Sequence, residues 1–167
     1  MAFRILIADD HPAIRRVLRA LIERRAEWQV CGEAENGADA VSKALELKPD
    51  LIILDLAMPV VDGIRAAREL SGALPGLPIL MHTMHGSPAV NLEAKKAGVT
   101  RVVSKGESGE KLIRAIEELL KAGHNRTATD TIGLEAPAGT DSKTSESEKT
   151  NEPGANGENS PKPDSPN

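Results

Sequence analysis

The chain predicts an α/β fold, a five-stranded parallel sheet in the order 2-1-3-4-5 with helices on both faces. Short apolar runs alternate with helical periodicity five times, the pattern of βα units wound into one parallel sheet. Three of those runs end on charge, at Asp9-Asp10, Asp55 and Lys105. The carboxyl ends of parallel strands share one edge, so these residues are expected to meet in a single crevice. Right-handed crossovers leave few orders for five such units. In 2-1-3-4-5 the winding reverses between the first and third strands, where the acidic residues lie.

The first run, Phe3 to Ala8, precedes a helix from Pro12 to about Arg25 whose apolar face carries Ile14, Val17, Leu18, Leu21 and Ile22. Pro12 suits its first turn, where a missing N–H costs nothing. The second run, Trp28 to Ala34, leads through Asn36-Gly37 into a helix carrying Ala40, Val41, Ala44, Leu45 and Leu47, closed by Pro49. The third, Leu51 to Asp55, passes through the loop Leu56-Ala57-Met58-Pro59 before Asp62-Gly63 opens a helix to about Leu70. The fourth, Pro78 to Thr83, reaches a helix through Gly86-Ser87-Pro88, with Ser87 as N-cap and Pro88 as first helical residue. That helix ends near Ala97-Gly98. The fifth run, Arg101 to Ser104, stops at Lys105, and a last helix from about Ser108 to Ala122 turns Leu112, Ile113, Ile116, Leu119 and Leu120 inward, with Gly123 as its terminator.

Composition changes after His124. Residues 125–167 are dominated by Thr, Ser, Glu, Asn, Gly and Pro, with Ile132 and Leu134 the only large aliphatics. Such a segment buries too little apolar surface to offset chain entropy, so the expectation is a folded domain over 1–124 and a disordered acidic tail over 125–167. The tail holds four basic residues (Arg126, Lys143, Lys149, Lys162) against eight acidic ones (Asp130, Glu135, Asp141, Glu146, Glu148, Glu152, Glu158, Asp164), which accounts for the whole net charge of −4. A formally neutral folded part lacks the basic footprint of non-specific nucleic-acid binding. Cys31 is the only cysteine, which excludes an intramolecular disulfide and reads as a small buried hydrophobe. The N-terminus reaches carboxylates too early for a signal peptide, and no apolar run approaches the about 18 residues of a membrane span. A cytoplasmic protein is expected.

Carboxylates crowded at one edge repel unless a cation sits among them, and a hard divalent ion is the usual answer, here Mg²⁺. Mg²⁺ typically takes one or two carboxylates, waters and a phosphate oxygen, so the site predicts a phosphoryl ligand. Lys105 and the Thr83 hydroxyl, on the same edge, are placed to bind the remaining phosphoryl oxygens. Asp55, at the middle of the arrangement, is the candidate nucleophile, forming an aspartyl phosphate. His82 and His85 flank Thr83 and read as packed or solvent-facing imidazoles rather than metal ligands. Arg15, Arg16 and Arg19 read as a solvated helix face that could alternatively help dock a kinase.

Asp9-Asp10-His11-Pro12, Leu54-Asp55-Leu56-Ala57-Met58-Pro59 with Asp62-Gly63, Thr83, Ala97-Gly98 and Lys105 together resemble, in order and spacing, the receiver domain of two-component response regulators. The resemblance covers about Phe3 to Ala122 and implies the flavodoxin-like (βα)5 three-layer sandwich. It implies that Asp55 is the phosphoacceptor, that Asp10, Asp55 and the backbone carbonyl of Ala57 bind Mg²⁺, and that Asp9 assists through water. Lys105 would pair with the phosphoryl group and Thr83 would move toward it as the switch. The implied donor is a phosphohistidine on a sensor histidine kinase or phosphotransfer protein, for which small acyl phosphates can substitute. No enzyme activity is implied beyond self-phosphorylation and autodephosphorylation.

The segments around His11-Pro12 and Met58-Pro59 are most similar to receivers of LuxR-type regulators, yet a polar tail stands where their helix-turn-helix would be. The expectation is therefore a single-domain regulator read by a downstream protein, without direct DNA binding and with a homodimer left open. The switch position that usually carries an aromatic residue, three before the lysine, is Val102. The positions two past Asp55 and two past Thr83, which tune phosphate lifetime in the family, are Ala57 and His85. Two enzyme or cofactor alternatives fit poorly. An Asp-nucleophile phosphatase generally wants a second acid where Ala57 stands, and a flavin-type phosphate loop would be repelled by Asp9-Asp10. The alternative that stays open is a degenerate receiver acting as a phosphorylation-independent interaction or dimerisation module, which Val102 favours and the intact acidic residues oppose.

Overall fold

In the computed structural model, residues 2–84 and 86–130 are described, with side chains through Gly123. All belong to the first of the two units into which the chain divides, Met1–Leu134. Ten elements occur in strict alternation: β1 (Phe3–Ala8), α1 (Pro12–Ile22), β2 (Trp28–Ala34), α2 (Gly37–Leu47), β3 (Leu51–Leu54), α3 (Gly63–Ala73), β4 (Ile79–Thr83), α4 (Pro88–Lys96), β5 (Arg101–Ser104) and α5 (Gly109–Asp130). The sheet order is β2-β1-β3-β4-β5, parallel throughout. The predicted fold class and order are therefore observed.

The central strands are apolar on both faces, as a sheet covered on both sides requires. Ile5, Ile7, Leu51, Ile53, Leu80 and Val103 pack with Leu18 and Ile22 of α1 and Leu112, Ile116 and Leu120 of α5. Leu6, Ile52, Leu54, Ile79 and Met81 pack on the other face with Ala40 and Ala44 of α2, Ala66, Ala67 and Leu70 of α3, and Ala94 of α4. The small residues of α2 and α3 let those helices lie close to the sheet. Cys31 sits at a register shift between β1 and β2 and is half-buried, with burial pushing its thiol pKa up. That environment disfavours the reactive thiolate.

Three helix starts, those of α2, α3 and α4, are set by side-chain caps. Asn36 accepts from the Asp39 N–H, Asp62 from Arg65 and, as expected from the sequence, Ser87 from Val90. Helix faces depart from expectation in two places. Val17 is 64% exposed and Leu45 is 45% exposed, whereas Arg15, read as solvated, is buried. The core-facing stripe of α1 runs through Arg15, Leu18 and Ile22, spaced i, i+3, i+7, which turns Val17 outward. Helix α5 continues through Gly123 to Asp130. Gly123 is not among the glycines with positive φ, so it does not form the left-handed cap that the sequence suggested. The reading of a disordered tail lies, from Thr131 onward, outside the described residues.

The loop after β3 carries the most unfavourable backbone among the described residues. Val60 has φ +68, and the Val61 N–H donates to the Pro59 carbonyl at 2.8 Å, closing a three-residue turn of the strained hand around a β-branched residue. Val60 is 85% exposed, so its side chain contributes little packing. Val60→Gly is expected to stabilise the protein by about 1 kcal/mol, seen as a higher urea midpoint with unchanged slope. A lower midpoint would mean that the turn is not strained.

Candidate functional site

The site forms where β1, β3 and β5 end. Asp9 and Asp10 come directly after β1, Asp55 after β3, and Lys105 after β5. Each chain end is held by sheet-like hydrogen bonds past the last strand residue: Asp9 N–H donates to the Ala34 carbonyl at 3.1 Å, Asp55 N–H to Ala8 at 2.8 Å, and Lys105 N–H to Thr83 at 2.9 Å. The functional side chains are thus extensions of a rigid sheet. Behind Asp55, α3 begins almost in contact with the loop. A Cβ on Gly63 would fall 2.1 Å from the Asp55 carbonyl oxygen, so only glycine permits the Gly63 N–H to reach the Leu56 carbonyl at 2.9 Å.

Lys105 joins two buried carboxylates. Its Nζ lies 2.7 Å from Asp9 Oδ2 and 3.0 Å from Asp55 Oδ2, with Asp9 and Asp55 only 1% and 4% exposed. Beyond the Lys105 ammonium, the buried Asp9 Oδ2 has no hydrogen-bond partner among the described residues. The opposite oxygens are engaged by the backbone: Asp9 Oδ1 accepts from the His11 N–H at 2.9 Å and Asp55 Oδ1 from the Leu56 N–H at 2.8 Å. Asp10 is more exposed, and its Oδ1 lies 2.6 Å from His11 Nδ1.

The electrostatics are set by burial. Desolvation pushes the Asp55 carboxyl above the usual carboxylate range; Lys105 opposes this and the negative charge of Asp9 adds to it. Desolvation works against the Lys105 ammonium, yet Asp9 and Asp55 outweigh it and raise its pKa. One lysine is shared by two buried carboxylates, with Asp10 next along the chain, so the three acidic residues outnumber the lysine. Asp9, Asp10 and His11 can bring ligand atoms within 4.8 Å of one another. The two carboxylates of this set, with Asp55 close by on the same lysine as Asp9, offer the oxygen ligands that a hard divalent cation takes.

Of the residues singled out from the sequence, Asp9, Asp55 and Lys105 are in contact, and Asp10 lies beside them. Thr83 is fully buried at the end of β4, with its carbonyl bound to the Lys105 N–H. Ala57 is exposed. Val102 is partly buried against the α2–α4 face of the core, paired in register with Met81. His82 is half-buried with Nδ1 lacking a hydrogen-bond partner, and burial, aided by the charge of Lys105, lowers its pKa from 6.5 to about 4. It is a packed neutral imidazole. His85 lies outside the described residues.

Sequence reasoning missed Arg15. It is buried, and its Nη1 donates to the Asp9 carbonyl at 2.7 Å. Its spacing of three and seven from Leu18 and Ile22 was the available signal. Arg16 is exposed as expected, whereas Arg19 is partly buried and paired with Glu23 and Glu33.

Lys105→Met leaves Asp9 and Asp55 buried without their cation. The expected cost is about 2–4 kcal/mol at neutral pH, shrinking on acidification as Asp55 takes up a proton, measured by chemical denaturation. Unchanged stability would contradict the ion pairing. For His82 the unfolded chain binds a proton first as pH falls, so stability drains between 6.5 and about 4. In melting curves against pH, His82→Leu should flatten that part of the acid limb relative to the parent; parallel acid limbs would show that His82 is not depressed.

Residues 5–117 match the model of the response regulator receiver domain. The chemotaxis protein CheY of Thermotoga maritima is 36% identical over 121 residues, spanning 72% of this chain and 100% of that protein. The transcriptional regulatory protein LnrK of Bacillus subtilis is 32% identical over 120 residues, and there the matched region spans 72% of this chain but 54% of that protein, about half its length. Among solved structures, a two-component response regulator of the LuxR family from Aurantimonas sp. SI85-9A1 is 36% identical with a TM-score of 0.70, covering 73% of this chain and 87% of that one. No helix among the described residues is long and apolar enough to cross a membrane. The acidic edge built on a 2-1-3-4-5 sheet, and these likenesses over the same residues, give one conclusion: the chain belongs to the receiver domain family of two-component response regulators.

Proposed function

We propose that the protein is a phosphorylatable receiver that accepts a phosphoryl group on Asp55 and passes the signal to a protein partner. The observation that carries this reading is the buried Asp55 carboxylate 3.0 Å from Lys105 Nζ, with Asp9 on the same lysine at 2.7 Å. Burial that raises the Asp55 pKa also strips water from its carboxylate, making it a stronger nucleophile than a hydrated one.

In the transfer, an Asp55 carboxylate oxygen attacks phosphorus in line. The P–O bond forms as the P–N bond of a phosphohistidine breaks, and the departing imidazole takes up a proton. With an acyl phosphate the P–O bond to the acyl group breaks instead. Asp10, Asp55 and the Ala57 carbonyl would hold Mg²⁺, with Asp9 acting through water. Bound there, the ion would neutralise phosphoryl charge beside the acidic residues. Lys105 is placed to turn from the carboxylates to a phosphoryl oxygen. The exposed, small side chain of Ala57 is the feature that would admit water for autodephosphorylation.

Thr83 is the proposed switch. Through its carbonyl it holds the Lys105 N–H, so movement at one is transmitted to the other. The proposed output face is α4, β5 and α5, beyond Thr83 and Val102, and the donor is a sensor histidine kinase or phosphotransfer protein. Direct DNA contact is outside this reading, since residues 1–124 carry equal numbers of acidic and basic side chains. A cytoplasmic location goes with such a donor. Val102 favours a second reading, in which the same face binds a partner or a second copy without phosphate.

Incubation with MgCl₂ and acetyl phosphate is expected to add the mass of one phosphoryl group to the intact protein, and Asp55→Asn is expected to abolish the adduct. No adduct under conditions that label another receiver would select the second reading.

A further inference from the structure

Arg15 is the only buried basic residue among the described residues. Each arm of its guanidinium is taken. Nη1 donates to the Asp9 carbonyl at 2.7 Å, Nε to Glu33 Oε2 at 3.1 Å and Nη2 to Glu35 Oε1 at 3.0 Å. Glu33 also accepts from Arg19 Nε at 2.8 Å, and Arg19 Nη1 donates to Glu23 at 2.9 Å. Alternating charges thus run from the surface of α1, across the end of β2, to the main chain of the acidic pocket.

The carbonyl that Arg15 holds belongs to the planar peptide joining Asp9 to Asp10. With the Asp9 N–H fixed on Ala34 and Asp9 Oδ1 on the His11 N–H, pinning that oxygen also fixes the Cα of Asp10. This matters because the carboxylates around Lys105 repel one another, and the chain after β1 would relieve that repulsion by retreating. Arg15 opposes the retreat through the backbone, without neutralising either side chain. The planar fork is required for this, since a lysine cannot meet three acceptors in fixed directions.

We propose that Arg15 is a positioning residue for capture of the divalent cation, holding the Asp9–Asp10 peptide so that the buried Asp9 carboxylate and the more exposed Asp10 carboxylate keep their places in the pocket. The inference rests on the reading of the site as a Mg²⁺-dependent phosphoacceptor. It concerns a residue that touches neither metal nor phosphate.

The test is calorimetric titration of the purified protein with MgCl₂ alone, beside melting temperatures, for the parent, Arg15→Met, Arg15→Lys and Glu35→Gln. Arg15→Met should raise the Mg²⁺ dissociation constant about tenfold, the scale of losing an outer-shell partner of a metal ligand. Glu35→Gln disturbs the same ion pairs without touching the Asp9 carbonyl, so it should lower the melting temperature and leave Mg²⁺ affinity unchanged. If Arg15→Met does not fold, Arg15→Lys carries the test, with weakened Mg²⁺ binding expected. Parent-like affinity in the folded Arg15 variants, or equal weakening by Glu35→Gln, overturns the inference alone. A parent that binds no Mg²⁺ overturns the functional reading and this inference with it.

Discussion

Lys105 and the two buried carboxylates it bridges set the terms for everything around them. Charges with so little solvent exposure are tolerable only when they are paired and held in fixed geometry. The sheet supplies that geometry. β1, β3 and β5 are locked by apolar packing on both faces, and their hydrogen-bond ladders extend one residue past each strand to Asp9, Asp55 and Lys105. The surplus negative charge that remains is what suits the pocket to a cation rather than to a closed salt bridge.

Much of this was legible from residue order alone. The limits of β1, β2 and β5 coincide with the expected runs, and for the central β1 the reason is that a strand covered on both faces must be apolar at nearly every position. The charged residue after each run marks the functional edge for the same reason, since such a residue is tolerated only where the layers end. The Ser87 cap and Pro88 were readable from local chemistry. Helix faces were less so. Val17 and Leu45 look inward on composition, yet the faces that pack are set by Arg15, Leu18 and Ile22 in α1 and by Gly37, Ala40 and Ala44 in α2. Small residues and a paired arginine carry little hydropathy signal, and the partners of Arg15 come from just after β1 and from the end of β2, which only the tertiary fold brings near. Gly123 misled because a glycine stops a helix only when it takes positive φ, and that depends on whether the next residues leave the helix axis.

Strand alternation bears on signalling. Asp9, Asp55 and Lys105 lie two residues past Ile7, Ile53 and Val103, on the α1–α5 face, whereas Thr83 lies two past Met81 and Ser104 two past Val102, on the α2–α4 face. The ion cluster and the proposed switch therefore approach the same edge from opposite sides of the sheet. The bond between the Thr83 carbonyl and the Lys105 N–H is the described link between them.

The central claim is that the buried carboxylate of Asp55 is destabilised by its surroundings and relieved by a cation. The most direct measurement is the pKa of the Asp55 side chain by carbon-13 NMR, without and with Mg²⁺. The expected value lies above the about 3.9 of a free aspartate and falls when Mg²⁺ is added. A value at or below that reference, indifferent to Mg²⁺, would contradict it.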